Sequence, residues 1–305
     1  LLSGQILLNL DTEEDNELCI GCAGGVDSNT KLVYEEEAAD ANGVAYEISV
    51  TGLKGGHSGM EIHLGRGNAN KLMNRLLYQT TDAYGMRISE IDGGSLRNAI
   101  PRESFGTVVV PKSNKAEFEK EFNLRKAAIE QEYKSNEKDM VIAIAETAMP
   151  AKVMNAKSQK QVLNAIYAVP NGVFRMSPDI ADLVETSSSF AKVIIKDGEF
   201  ITQSLQRSSI ESGKDDVANA IRATFENIGA EVINANTYPG WAPNAQSPIL
   251  KAMEGLYREL FKEEPHVAAC HAGLECGIID SRKPGLDMIS FGPTIRGAHS
   301  PDECV

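Results

Sequence analysis

Between Val44 and Thr51 the chain keeps a strict period of two: Val44, Tyr46, Ile48 and Val50 alternate with Ala45, Glu47, Ser49 and Thr51. On a pleated strand that spacing sends one set to each face, the signature of a half-buried antiparallel strand. Any fold for this chain must give that strand hydrogen-bonded neighbours and cover its apolar face.

The surrounding pattern supplies both. An amphipathic helix is expected near Arg66–Thr80, with Leu72, Met73, Leu76 and Leu77 on one face, and strands near Tyr84–Ile91 and Ser104–Val110. A helix from about Lys115 to Tyr133 lines up Phe118, Phe122 and Ile129, with Ser113-Asn114 as its cap signal, and Val141–Ala145 reads as a strand. A second round follows: a helix near Lys160–Ala168, then a hairpin of Lys192–Ile195 and Phe200–Leu205 turning at Asp197-Gly198. A helix through Val217, Ile221, Phe225 and Ile228 stops at Gly229, before a strand at Glu231–Asn234. Two such rounds predict an α+β unit built from two similar sheet-plus-helix units.

The flanks have another texture. Gln5–Asn9 is a short apolar run ending in Asp11-Thr-Glu-Glu-Asp15, expected to be a buried strand that delivers carboxylates outside the sheet's carboxyl edge. Gly24-Gly25 reads as a turn and the acidic stretch Glu35–Asp40 as a boundary. From Tyr238 the chain runs through a loop, an amphipathic helix over Pro248–Lys262 and a buried strand at Asp287–Phe291. The expected organisation is an α/β catalytic-type domain contributed by residues 1–24 and 238–305, interrupted by an inserted α+β domain over residues 25–237.

Charge narrows the functions. A formal net charge of -13 argues against nucleic acid or an anionic membrane as partner. No apolar run approaches the roughly 18 residues a membrane span needs, and no signal peptide opens the chain. It begins Leu1-Leu2-Ser3 without Met, so it is read as part of a longer polypeptide. Five cysteines, an odd number in a long chain, fit a reducing, cytoplasmic setting. Cys19-Ile-Gly-Cys22 lacks a second ligand pair for zinc and reads as two buried thiols.

The chain has five histidines and no HExxH, G-x-S-x-G or P-loop. His57 lies between Gly55-Gly56 and Ser58-Gly59, where the backbone can approach a ligand closely; a surface turn histidine is the plainer alternative. "HAGLECG" offers Gly273 and Glu275, or simply a strand-to-helix turn. His299 sits in a proline-rich loop, and Asp11 is either a carboxylate suited with imidazole to Zn²⁺, Mn²⁺ or Co²⁺, or a solvated acidic turn.

Taken together, "ILLNLDTEED", "VTGLKGGHSGMEIHLGRGNANKLMNRLL", "GGSLRNAIPRE", "YPGWAPN", "HAGLECG" and "SFGPTIRGAHSPDE" resemble, in this order, the aminoacyl-histidine dipeptidases of the di-zinc exopeptidase family. The resemblance runs from about Gln5 to Glu303. It implies a zinc-exopeptidase-like domain carrying two zinc ions (cobalt or manganese as substitutes) and an inserted lid. Asp11 and His299 match zinc ligands, and His57 matches the lid histidine that steadies the tetrahedral oxyanion. Asn98 and Arg207 match lid residues that hold substrate, Arg207 by its C-terminal carboxylate, and Gly273 a substrate-side backbone position. The implied activity is metal-dependent hydrolysis of small peptides, Xaa-His dipeptides first, in the cytoplasm, with a homodimer allowed. Rival readings are another amidohydrolase of the family, such as a tripeptidase or an acyl-amino-acid deacylase, and a non-catalytic peptide-binding relative.

One departure accompanies the match. The family's His-x-Asp, bridging Asp and Glu-Glu pair come before the strand that corresponds to Ile6–Leu10, and no such residues precede Leu1; Glu13-Glu14 follows Asp11 instead. Nor does the family's helix follow His299. The expectation is that these 305 residues alone hold metal weakly and show little or no activity.

Overall fold

The computed structural model describes residues 3–78, 80–295 and 304–305. Two sheets organise them. A four-stranded sheet runs in the order Ile6–Asn9, Asp287–Ser290, Glu17–Cys22, His266–Cys270, so strands from the two ends of the chain interleave. Ile6–Asn9 lies parallel to Asp287–Ser290, and His266–Cys270 parallel to Glu17–Cys22. Helix Pro248–Phe261 starts at Ser247, whose hydroxyl accepts from Leu250 N, and packs Leu250 against Leu18, Ile20 and Ile289.

The second sheet has nine strands and is antiparallel in all its pairings. One half orders Val141–Glu146, Val44–Thr51, Ser104–Val110 and Arg87–Gly93; the other orders Val184–Lys196, Glu199–Ser208, Gly24–Val33 and Glu231–Tyr238. The halves meet where Arg87–Gly93 pairs with Val184–Lys196, at Gly93↔Val193 through Ile91↔Ile195. The two similar units expected from the sequence are therefore one continuous sheet. Helices Ala69–Leu77, Lys115–Tyr133, Ala156–Ala168 and Glu211–Glu226 contribute Leu72, Phe118, Ile166 and Phe225 to a single core with Ile48, Val108, Phe190 and Phe200. The alternation in Val44–Thr51 holds, with Tyr46, Ile48 and Val50 buried and Glu47 exposed. The hairpin turns at Asp197 and Gly198, whose φ values of 49° and 76° suit a primed turn that follows the sheet's twist.

Some local expectations change. Ile6–Asn9 is an edge strand, and Ile6 and Leu8 are 55% and 51% exposed, because a strand paired on one side only leaves part of its surface uncovered. Gly24-Gly25 is not a turn but the start of the ten-residue strand Gly24–Val33. Crowding explains both glycines: a Cβ on Gly24 would lie 2.4 Å from Gly240 N, and one on Gly25 2.6 Å from the Tyr238 side chain. Glu35–Asp40 marks no boundary; Glu36–Ala38 pairs with Lys152–Met154 inside the second sheet's domain. The first helix is shorter than expected because Asn68 caps it, accepting from Asn70 N and Lys71 N. The fourth begins earlier, at Ala156, where Asn155 accepts from Ser158 N. Asn114 does precede Lys115–Tyr133, but its side chain donates to Tyr84 O instead of capping.

The two sheets are joined twice, at Cys22–Gly24 and at Tyr238–Trp241. Those crossings are tied to each other, because Cys22 N donates to Trp241 O and Trp241 N to Cys22 O, both at 2.9 Å.

Candidate active site

A row of four residues crosses the second sheet. Ser187 stands opposite Arg207, Arg207 opposite Gly25, and Gly25 opposite Tyr238. Directly paired positions share a face, so their side chains meet on one side of the sheet. Gly25 is the gap in the row. The Tyr238 ring fills it, lying where a Cβ on Gly25 would be 2.6 Å from its Cε1, Cζ and Oη atoms. Across that gap Arg207 Nη1 donates to Tyr238 Oη at 2.9 Å.

The loop after Gly56–His57 closes over Arg207. Gly55 and Gly56 adopt φ values of 63° and 133°, which only glycine takes without strain. His57 N donates to Glu61 Oε2 at 2.7 Å, and Glu61 is paired with Arg66 at 2.6 Å. Ser58 N donates to Asn98 O at 2.9 Å, and Ser58 Oγ accepts from Arg207 Nε and Nη2, each at 3.4 Å. The ring of His57 is fixed from behind: Nδ1 accepts from Gly59 N at 3.2 Å and Met60 N at 3.0 Å. A neutral imidazole whose Nδ1 accepts carries its hydrogen on Nε2. Nε2 lies 3.4 Å from Arg207 Nη2.

The four-stranded sheet provides the remaining wall through the loop between His266–Cys270 and helix Glu275–Arg282. His271 is buried and its Nε2 lies 2.7 Å from Ser187 Oγ. Gly59 packs onto the same loop; a Cβ there would be 2.1 Å from His271 O. Gly273 faces the other side of the Tyr238 ring, with 3.1 Å between its Cβ position and Cε2.

Electrostatically the cluster is cationic and short of an anion. Arg207 is 4% exposed, and among the described residues it forms no ion pair; its donors meet the hydroxyls of Ser58 and Tyr238, with the His57 ring beside them. Hydroxyls satisfy N–H groups but leave a desolvated charge uncompensated. The imidazoles respond to this. Burial, then the Arg207 charge, holds His57 below the ordinary histidine range against the opposing pull of Glu61. Burial, then Arg207, His57 and His63, pushes His271 down to about 3. Burial raises Tyr238, so it stays a phenol at neutral pH.

The residues singled out from sequence are thus brought together in part. His57 and Arg207 touch, Asn98 is exposed and holds Ser58 by its carbonyl, and Gly273 packs on Tyr238. Glu275 is the exposed first residue of its helix. Asp11 is exposed, two residues past Ile6–Asn9, and no hydrogen bond or ion pair among the described residues connects it to the Arg207 cluster. His299 lies outside the described residues. Cys19 and Cys22 are buried thiols, Cys19 pushed up to about 12 by burial.

Sequence reasoning passed over Ser58, Ser187, Tyr238 and His271, although Ser58, Tyr238 and His271 lie inside motifs it quoted. Ser58 alone carried a local signal, its place between His57 and Gly59; the others meet the site only through pairing of distant segments.

Among the described residues no three His, Cys, Asp or Glu side chains converge as a metal would require. The metal centre implied by the resemblance therefore does not fit these residues by themselves, and no chemical step through it follows from their geometry.

Comparison with known proteins extends the picture. Residues 48–137 match the Peptidase dimerisation domain family. Over 304 residues the chain is 39% identical to the cytosol non-specific dipeptidase of Escherichia coli (strain K12), covering 100% of this chain and 63% of that protein. Its structure superposes on the aminoacylhistidine dipeptidase of Vibrio alginolyticus with a TM-score of 0.95 and 40% identity, over 99% of this chain and 62% of that one. The chain spans less than two thirds of the length of both. The resemblance drawn from the motifs and the fold class inferred with it hold across this chain.

Proposed function

We infer that the protein carrying this chain is a metal-dependent dipeptidase of the aminoacyl-histidine dipeptidase kind, which takes the C-terminal carboxylate of its substrate at Arg207. One observation carries the reading. Arg207 Nη2 and His57 Nε2 are both N–H donors 3.4 Å apart, and among the described residues the one acceptor printed for either is the neutral Ser58 hydroxyl, which takes Nη2. Anionic oxygen is what such a pair lacks.

A dipeptide supplies it. Its scissile carbonyl and its terminal carboxylate are one residue apart, a Cα spacing of about 3.8 Å, so neighbouring donors can serve both. Arg207 forks onto the carboxylate. His57, kept neutral by burial with its hydrogen on Nε2, donates to the oxyanion as the carbonyl becomes tetrahedral. Asn98 and Gly273 complete the substrate side. A longer peptide would place its carboxylate elsewhere, which favours dipeptides over tripeptides and Xaa-His among them by the resemblance.

We assign Asp11 and His299 as residues that would hold the two zinc ions of the whole protein, with cobalt or manganese able to replace zinc; a metal bound there would supply an activated water. Residues 25–237 form the lid, and residues 1–24 and 238–305 belong to the catalytic domain. The peptidase dimerisation match supports a homodimer. The cytosolic relative supports a cytoplasmic setting.

The test uses the product of the complete reading frame. Ala-His cleavage that a chelator abolishes and zinc restores is expected, with Ala-His amide cleaved far more slowly. Equal cleavage of acid and amide would remove Arg207 from the assigned role, and failure to cleave either with zinc bound would turn the reading toward another amide substrate.

A further inference from the structure

We propose that Tyr238 is a specificity-determining residue: it holds the Arg207 guanidinium in register for the substrate carboxylate. The proposal rests on the dipeptidase reading above and adds to it a residue that no motif assigned.

Three features converge on Tyr238. Its ring occupies the one gap in the Ser187–Arg207–Gly25–Tyr238 row, so Gly25 gives the ring its place and the ring gives Arg207 its partner. The opposite edge of the ring, at Cε2 and Cδ2, lies against Gly273, so the tyrosine sits between a glycine of each sheet's domain. Its backbone is anchored as well. Tyr238 O accepts from the buried Lys214 Nζ at 2.9 Å, Lys214 pairs with Glu211 at 2.8 Å, and Glu211 Oε1 accepts from Gly240 N at 2.9 Å. A side chain flanked at both edges and tied at its backbone keeps few rotamers.

The hydrogen bond makes this placement matter. Arginine's fork recognises a carboxylate only when its plane is set. Tyr238 Oη takes one Nη1 hydrogen at 2.9 Å, whereas Ser58 takes Nε and Nη2 at 3.4 Å, so the tyrosine provides the shorter of the two constraints.

The experiment compares the wild type, Tyr238→Phe and Arg207→Met in the complete protein, on Ala-His and on Ala-His amide. Tyr238→Phe keeps the ring and removes only the hydroxyl. A hydrogen bond to a charged group contributes enough that KM for Ala-His should rise about tenfold, with kcat within about twofold and the amide unaffected. Arg207→Met should lose the preference for the acid altogether. If Tyr238→Phe retains the wild-type KM while Arg207→Met loses the preference, the proposal fails although the dipeptidase reading stands. An equal fall on acid and amide would make Tyr238 merely structural and also overturn it. Binding of Ala-His by calorimetry with chelator present reads the same contact without turnover. About tenfold weaker binding by Tyr238→Phe is expected there, and equal affinity overturns the proposal even in a protein that cleaves neither substrate.

Discussion

Arg207 and Tyr238 sit on strands that never touch, with the strand Gly24–Val33 between them, yet their side chains are hydrogen bonded at 2.9 Å because the residue separating them is Gly25. A buried guanidinium thereby gains a neutral partner in place of a carboxylate, and the uncompensated charge is left for a ligand.

Removing that charge should separate function from stability. Arg207→Met places a side chain of similar length where a desolvated cation stood, so stability to urea is expected to be unchanged or to rise by about 1 kcal/mol. Catalytic efficiency of the whole enzyme on a dipeptide acid should fall at least about a hundredfold, mostly through KM. Equilibrium unfolding and steady-state kinetics check the two halves.

Gly25→Ala puts a methyl group 2.6 Å from Cε1, Cζ and Oη of Tyr238, whose opposite edge lies against Gly273. The ring cannot withdraw, so overpacking should cost about 1–3 kcal/mol and displace the phenol from Arg207. Gly273→Ala, at 3.1 Å from Cε2, should produce a smaller loss of the same kind. Urea midpoints order the two variants.

Below neutral pH the buried His271 should weaken the fold. Its folded value of about 3 is depressed from an ordinary 6.5, so the unfolded chain binds the proton first. The resulting stability is complete above about pH 6.5 and is lost progressively as pH falls toward 3, by at most about 4–5 kcal/mol at 1.36 kcal/mol per pH unit. Unfolding measured from pH 7 to 4 should steepen accordingly, and His271→Gln should flatten that slope.

At the second crossing between the sheets, Lys214→Met removes the donor to Tyr238 O and leaves Glu211 without its cation. Since Glu211 is partly solvated, about 1–3 kcal/mol of destabilisation is expected. Activity should fall further than stability, because the backbone that carries the phenol loosens. A Glu211→Gln variant, which keeps an acceptor for Gly240 N, should lie between.

Local pattern determined the elements. The alternation Val44–Thr51, the apolar stripe Phe118, Phe122 and Ile129, and the Asp197-Gly198 turn each encode one period or one dihedral preference, and each appears in the fold. The family resemblance marked His57 and Arg207 as site residues although 150 positions separate them. Pairing across strands lay beyond that reach. Gly24-Gly25 looks like a turn to any local rule, and only the opposition of Arg207, Gly25 and Tyr238 reveals that the second glycine is the space a phenol needs. Ser187 and His271 likewise acquire meaning only when the two sheets meet. Sequence spacing fixes which way a side chain points along its own strand; which strand lies beside it, and what a missing Cβ admits there, is settled by packing between distant segments.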